Sequence, residues 1–169
     1  MPAPTQAQLE ALAADVGKLL LDTGQRLATA ESCTGGWVAQ CLTAIAGSSN
    51  WFERGFVTYS NEAKGDMLGV AEATLAAHGA VSEAVAAAMA GGALRHSRAD
   101  WTLAITGIAG PDGGSKDKPV GTVCFAWAGP EGRCDTETRH FAGSREAVRA
   151  QSVGHALSGI LERAANLGA

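Results

Sequence analysis

Ser32 lies in the run Ala30-Glu31-Ser32-Cys33-Thr34-Gly35-Gly36, between an apolar stretch ending at Ala30 and a helix-compatible stretch from Trp37 to Leu42. The order reads as a strand, a tight turn and a helix start. A serine at such a bend carries its hydroxyl beyond the end of a sheet, close to unsatisfied N–H groups of the helix start. A nucleophile beside anion-stabilising donors is the beginning of an acyl-transfer site. Taken in isolation, the segment fits a helix N-cap at Ser32 or Thr34 better. The other chemistry-bearing segments shift that balance.

Tyr59-Ser60-Asn61-Glu62-Ala63-Lys64 also follows an expected strand. A lysine just past a strand end can approach Ser32, and a Ser–Lys pair needs that lysine neutral, through desolvation or nearby cations. Tyr59 is a candidate to relay a proton or orient the lysine. The plain alternative is a solvated Lys64 and a core Tyr59, and on this segment alone it is the better one. A third segment, Thr106-Gly107-Ile108-Ala109-Gly110-Pro111-Asp112-Gly113-Gly114, places glycines after an apolar strand. Such glycines let backbone N–H groups face a phosphate or carboxylate, or they make a long flexible loop. It is neither a P-loop nor a GxGxxG fingerprint. Arg145 and Arg149 share a helical face near a helix start, where they oppose the dipole. A held anion explains that placement; a surface ion pair is the alternative for at least one of them.

The four histidines are scattered and no HExxH appears, so a metal mechanism has little support. Gly-x-Ser-x-Gly is absent as well, which ranks a Ser-His-Asp hydrolase below a Ser–Lys one. Cys33 is a weaker candidate nucleophile, since a small buried cysteine is its ordinary reading.

These residues need elements to hold them. Leu9, Leu12, Val16, Leu19 and Leu20 mark a helix over Gln6–Asp22, closed by Gly24. Strands are expected at Arg26–Ala30, Gly55–Tyr59, Trp101–Thr106, Val120–Ala128 (central, buried on both faces) and Arg133–Phe141 (a half-exposed hairpin partner). Helices are expected from Gly35 to Ala46, after a cap at Ser60 or Asn61, over Ala71–His78, from Ser82 to His96, and from Gly143-Ser144 onward. The 169 residues suit a single domain, residues 1–169, and the 46% apolar content indicates a globular chain. The fold class is α/β: a three-layer α/β/α arrangement with a mixed, mostly parallel sheet. In such sheets, sites gather where strands end and helices begin.

A formal net charge of −4, without a basic block, and an aromatic content of 5% leave no footprint for nucleic acid. Neither a signal-like start nor an apolar run of ~20 residues is seen, so a membrane partner is not expected and a cytoplasmic location is. The four cysteines (Cys33, Cys41, Cys124 and Cys134) fit neither a zinc site nor a CxxC pair and read as reduced thiols.

Four segments in order carry a specific resemblance: Ala30–Gly36, Gly55–Lys64, Thr106–Gly114 and Pro119-Val120-Gly121-Thr122-Val123. Over almost its whole length the chain closely resembles the CinA C-terminal domain family, the nicotinamide-nucleotide amidohydrolases. The resemblance implies deamidation of nicotinamide mononucleotide to nicotinate mononucleotide with release of ammonia. It implies Ser32 as nucleophile, Lys64 as its assistant and Tyr59 as a third catalytic residue. The substrate is expected to meet Glu31, Cys33, Thr34, Gly35, Gly36, Asn61, Thr106, Gly107, Ala109, Gly110, Arg145 and Arg149. Backbone N–H groups over Cys33–Gly36 would hold the oxyanion, and any helix cap falls to Thr34. The Gly107–Gly114 loop with Arg145 or Arg149 would hold the 5′-phosphate. No metal and no organic cofactor is implied. Long relatives carry an additional N-terminal domain, and this chain is expected to act as a stand-alone deamidase. A homo-oligomer is also expected. The competing reading is a non-catalytic nucleotide-binding regulatory module, which needs no proximity of Ser32 to Lys64.

Overall fold

Side-chain size alternates along the central strands and sorts the two faces of the sheet. Leu27, Leu103, Ile105, Phe125 and Trp127 project into one core cluster, while Ala30, Ala104, Ala126 and Ala128 project into a second. Successive residues of a strand point to opposite faces, so this alternation sets what each face can pack. The computed structural model describes residues 2–167. Along them run α1 (Gln6–Thr23), β1 (Leu27–Glu31), α2 (Trp37–Thr43), β2 (Phe52–Val57), α3 (Asn61–Leu68), α4 (Glu72–His78), α5 (Glu83–Arg95), β3 (Trp101–Gly107), β4 (Thr122–Ala128), β5 (Cys134–His140) and α6 (Arg145–Leu167).

The sheet order is β2-β1-β3-β4-β5. β1 pairs in parallel with β2 and β3, whereas β4 runs antiparallel to both β3 and β5. The sheet is therefore mixed, with β4 alone reversed among the described strands. α1, α2 and α6 cover the face with large side chains, through Leu9, Val16 and Leu20, Val38 and Leu42, and Val153, Leu157 and Ile160. α3, α4 and α5 cover the alanine face through Leu68, Leu75, Val85 and Met89. The result is three layers, α/β/α.

β4 is buried along its whole length, as its continuous apolar run requires. β5, polar and mostly exposed, forms one edge. β2 forms the other edge and begins at Phe52, three residues before the start expected from hydrophobicity. Glu53 and Arg54 hide its first half from a hydrophobicity reading, because an edge strand tolerates charge. α2 is shorter than expected, since Gly35 and Gly36 take φ of +60° and +104° and hold the turn open until Trp37. Thr5 caps α1 in a capping box, Gly24 closes it in the left-handed conformation, and Ser60 and Ser82 cap α3 and α5. No helix among the described residues is long and apolar enough to cross a membrane.

The connection from β1 runs through α2 on one face to β2. The connection from β2 returns through α3, α4 and α5 on the other face to β3, on the opposite side of β1. The chain thus diverges at the C-terminal ends of β1 and β3, which is where α/β sheets form their crevice.

Candidate active site

Ser32 follows the last residue of β1 at this divergence. Its N–H donates to the Ile105 carbonyl of β3 at 3.0 Å, so the residue is still tied to the sheet. Its own carbonyl accepts from Gly35 N–H at 3.0 Å, closing a tight turn. The positive φ of Gly35 and Gly36 explains the glycines there, because a side chain strains that backbone.

Two charged side chains grip this turn. The Glu31 carboxylate, 1% exposed, accepts from Thr34 Oγ1 at 2.6 Å and from the N–H groups of Val38 at 2.9 Å and Ala39 at 3.1 Å. It thereby caps the start of α2, which has Gly36 at its N-cap and no capping side chain of its own. The expectation of a cap at Thr34 is corrected here: the Thr34 hydroxyl donates to Glu31, and the longer carboxylate reaches the helix amides instead. From the other side, Arg149 Nε donates to the Cys33 carbonyl at 3.0 Å and Nη2 to the Thr34 carbonyl at 3.2 Å. Its guanidinium also lies 5.4 Å from the centre of the Trp37 ring. Among the described residues, the N–H groups of Cys33, Thr34 and Gly36 have no hydrogen-bond partner.

Lys64 reaches Ser32 from the other side of the sheet. Ser60 caps α3 by accepting from Ala63 N–H, which places Lys64 in the first turns of that helix, with its stem pointing inward. Its side chain is 2% exposed, and Nζ lies 3.0 Å from Ser32 Oγ. Nζ also donates to the Thr58 carbonyl at 3.0 Å. Among the described residues no carboxylate pairs with it. Burial therefore pushes its pKa below the ordinary lysine value, opposed only by the nearby Cys33 thiol. An amine so placed holds a lone pair near neutrality more readily than a solvated one.

Ser32 and Lys64 open into a pocket of about 240 Å³. Tyr59, Asn61, Thr106, Gly107, Ala109 and Arg145 line it together with Cys33, Ala80 and Val81. A larger groove of about 420 Å³ lies between α5 and the β4–β5 hairpin. Among the described residues it holds no nucleophile–base contact, so size does not identify the site.

Tyr59 departs from expectation. The residue is 63% exposed at the pocket mouth, and its hydroxyl accepts from Arg145 Nη2 at 3.2 Å. The Thr58 carbonyl, and not Tyr59, orients the lysine. Arg145 also donates through Nη1 to the Gly110 carbonyl at 2.8 Å, so it straps the Gly107–Gly114 loop to Tyr59 across the mouth. The buried Thr106 hydroxyl donates to the Ala80 carbonyl. Glu31, Thr34, Gly35, Gly36, Gly110 and Arg149 do not line the pocket; Arg149 faces a separate open groove with Trp37, Arg145 and Glu146. Cys33 is 7% exposed, and its thiol is pushed up to about 12, first by burial and then by the Glu31 charge. A thiol so resistant to ionisation is a poor nucleophile, which favours Ser32.

Sequence reasoning missed Thr58, Ala80 and Val81. Thr58 acts through its carbonyl, which no side-chain pattern reveals. Ala80 and Val81 form a wall from the loop before α5, and their types carry no chemical signal.

The fold and the Ser32–Lys64 contact define a doubly wound α/β protein with a serine hydroxyl and a buried amine in contact at its switch point. The chain belongs to the CinA C-terminal domain family, whose model matches residues 9–164. It is 57% identical over 159 residues to the nicotinamide-nucleotide amidohydrolase PncC of Escherichia coli strain K12, covering 94% of this chain and 96% of that protein. It is 50% identical over 151 residues to the protein of the same name from Pseudomonas putida, covering 89% and 94%. Among solved structures, the competence/damage inducible protein CihA from Agrobacterium tumefaciens superposes with a TM-score of 0.89 at 45% identity, covering 96% of this chain and 98% of that one.

Proposed function

We propose that this chain is an amidohydrolase that deamidates nicotinamide mononucleotide to nicotinate mononucleotide and ammonia, with Ser32 as nucleophile and Lys64 as base. The observation that carries this reading is the 3.0 Å approach of Lys64 Nζ to Ser32 Oγ inside a pocket. The competing reading of a non-catalytic module does not call for that contact. The names of the relatives supply the substrate class: a nicotinamide nucleotide.

Neutral Lys64 takes the proton of Ser32 as Oγ bonds to the carboxamide carbon. The carbonyl oxygen becomes an oxyanion and meets the free N–H of Cys33, which lines the pocket. Lys64 then returns the proton to the amide nitrogen, the C–N bond breaks, and ammonia leaves. Water, activated by the same amine, attacks the resulting ester, and Ser32 regains its proton as the carboxylate is released. The pyridinium charge draws electron density from the reacting carbon and disfavours a proton on Lys64. Arg145 and the Gly107–Gly114 loop hold the phosphate. No step needs a cofactor. The chain acts as one domain of this kind, and as a homo-oligomer.

Ammonia release in a coupled assay tests the reading with three substrates. Nicotinamide mononucleotide turns over, while free nicotinamide and the dinucleotide turn over at least ~10-fold more slowly by kcat/KM, as a site that uses remote binding energy requires. No release from the mononucleotide overturns it.

A further inference from the structure

We propose that Arg149 is a positioning residue for the Ser32 turn and its pocket-lining oxyanion donor, the Cys33 N–H, and not a ligand of the substrate phosphate. The inference rests on the acyl transfer at Ser32 proposed above, but its evidence is separate. Arg149, on α6, does not line the Ser32 pocket, and its fork is bonded to the carbonyls of Cys33 and Thr34. The C=O and N–H of one trans peptide point in opposite directions. The only cis peptide among the described residues is Gly110–Pro111, so the Cys33–Thr34 and Thr34–Gly35 peptides are trans. By drawing the Cys33 carbonyl toward α6, Arg149 turns the Thr34 N–H to the other side of the chain. By drawing the Thr34 carbonyl, which also accepts from Trp37 N–H, the same way, it turns the Gly35 N–H inward. There that group donates to the Ser32 carbonyl and leaves the Cys33 N–H of the same peptide facing the other way.

Two further features fit this role. The Trp37 ring supports the guanidinium from the side. Glu31 holds the Thr34 hydroxyl and the Val38 and Ala39 amides from the opposite direction. Glu31 thereby removes the Val38 and Ala39 N–H groups from the donors available to an oxyanion and leaves that of Cys33, on the pocket wall. The turn is thus held between an anion that takes N–H groups and a cation that takes carbonyls. A lysine would not replace the arginine, because an ammonium is a point charge and does not fork across two acceptors.

The test compares Arg149→Ala and Arg149→Lys with the unaltered protein, on nicotinamide mononucleotide and on the corresponding riboside, which lacks the phosphate. Both variants should lose about 100-fold in kcat, the size expected when an oxyanion donor is displaced. KM should stay within about threefold, and the fractional loss should be equal on the two substrates. Hydrogen exchange at the Gly35 amide should quicken by about tenfold or more in Arg149→Ala as the turn loosens. A rise in KM confined to the phosphorylated substrate, with kcat kept, would make Arg149 a phosphate ligand. Unchanged kcat in a folded Arg149→Lys would also overturn the proposal. The exchange measurement separates failures: if the unaltered protein releases no ammonia, the acyl-transfer reading fails, and unchanged Gly35 exchange then overturns positioning on its own.

Discussion

Two cations flank the Ser32 turn from opposite faces of the sheet, and they are held in opposite ways. Lys64 comes from α3 on the alanine face, is 2% exposed, and has one carbonyl and one hydroxyl for company. Arg149 comes from α6 on the other face, with two carbonyls in its fork and the Trp37 ring beside it. Burial lowers the lysine pKa. A guanidinium does not lose its proton in a protein. One cation is therefore placed where it can become neutral and exchange a proton with Ser32. The other is placed where a permanent charge can fix backbone geometry. Exchanging the two would defeat both tasks, although each residue is basic and each lies close to the same five-residue turn.

The comparison breaks most sharply at Lys64. Lys64→Arg substitutes a group that stays charged, and Lys64→Met one that accepts no proton; either should lower kcat/KM by about 10²–10⁴-fold, the range for a general base. Lys64→Met should nonetheless keep or raise the Tm, since it removes a desolvated buried amine whose protonated form has no carboxylate partner among the described residues. A fall of more than ~4 °C, about 1–2 kcal/mol for a chain of this size, would mean that the lysine supports the fold.

The pH dependence has a definite sign. The native pKa of Lys64 lies below its value in the unfolded chain, which is near ~10.4. Between those two values the unfolded chain binds the additional proton, so stability rises with pH across that window, and Lys64→Met should lose this slope. In the same direction, kcat/KM should rise with pH through the native pKa as the neutral amine forms. An activity that falls as pH rises through that range would contradict a lysine base.

Arg149 comes next, with the ~100-fold loss in kcat set out above. Arg145 comes last and sharpens the contrast, because it lies one helical turn from Arg149 but faces the pocket mouth. Arg145→Met should raise KM for the mononucleotide by about tenfold, the worth of a charge-assisted contact, and leave KM for the riboside nearly unchanged. Equal KM effects on both substrates would assign Arg145 to the strap between Tyr59 and Gly110 alone.

The elements that carry strong periodic or capping signals were legible in the sequence. α1 with its Gly24 stop, the Ser60 and Ser82 caps, and the apolar β4 are such elements. The start of β2 was not, because an edge strand can hold Glu53 and Arg54 without penalty. Within the site, Ser32, Lys64 and the glycine loop were each ambiguous alone and became legible only as segments in a fixed order. The grip on the turn did not. Arg149 and Cys33 are 116 residues apart, and the contact is to a backbone carbonyl. Glu31 reads as a pocket residue from its place beside Ser32, yet strand alternation turns it away, into the start of α2. Arg145 and Arg149 look equivalent at helical spacing, and only the position of the turn against α6 separates them.

Ammonia release from nicotinamide mononucleotide by Ser32→Ala, beside the unaltered protein, tests the nucleophile most directly. A serine nucleophile requires kcat to fall by more than about 10⁴-fold with the fold retained. Turnover within tenfold of the unaltered protein would contradict it.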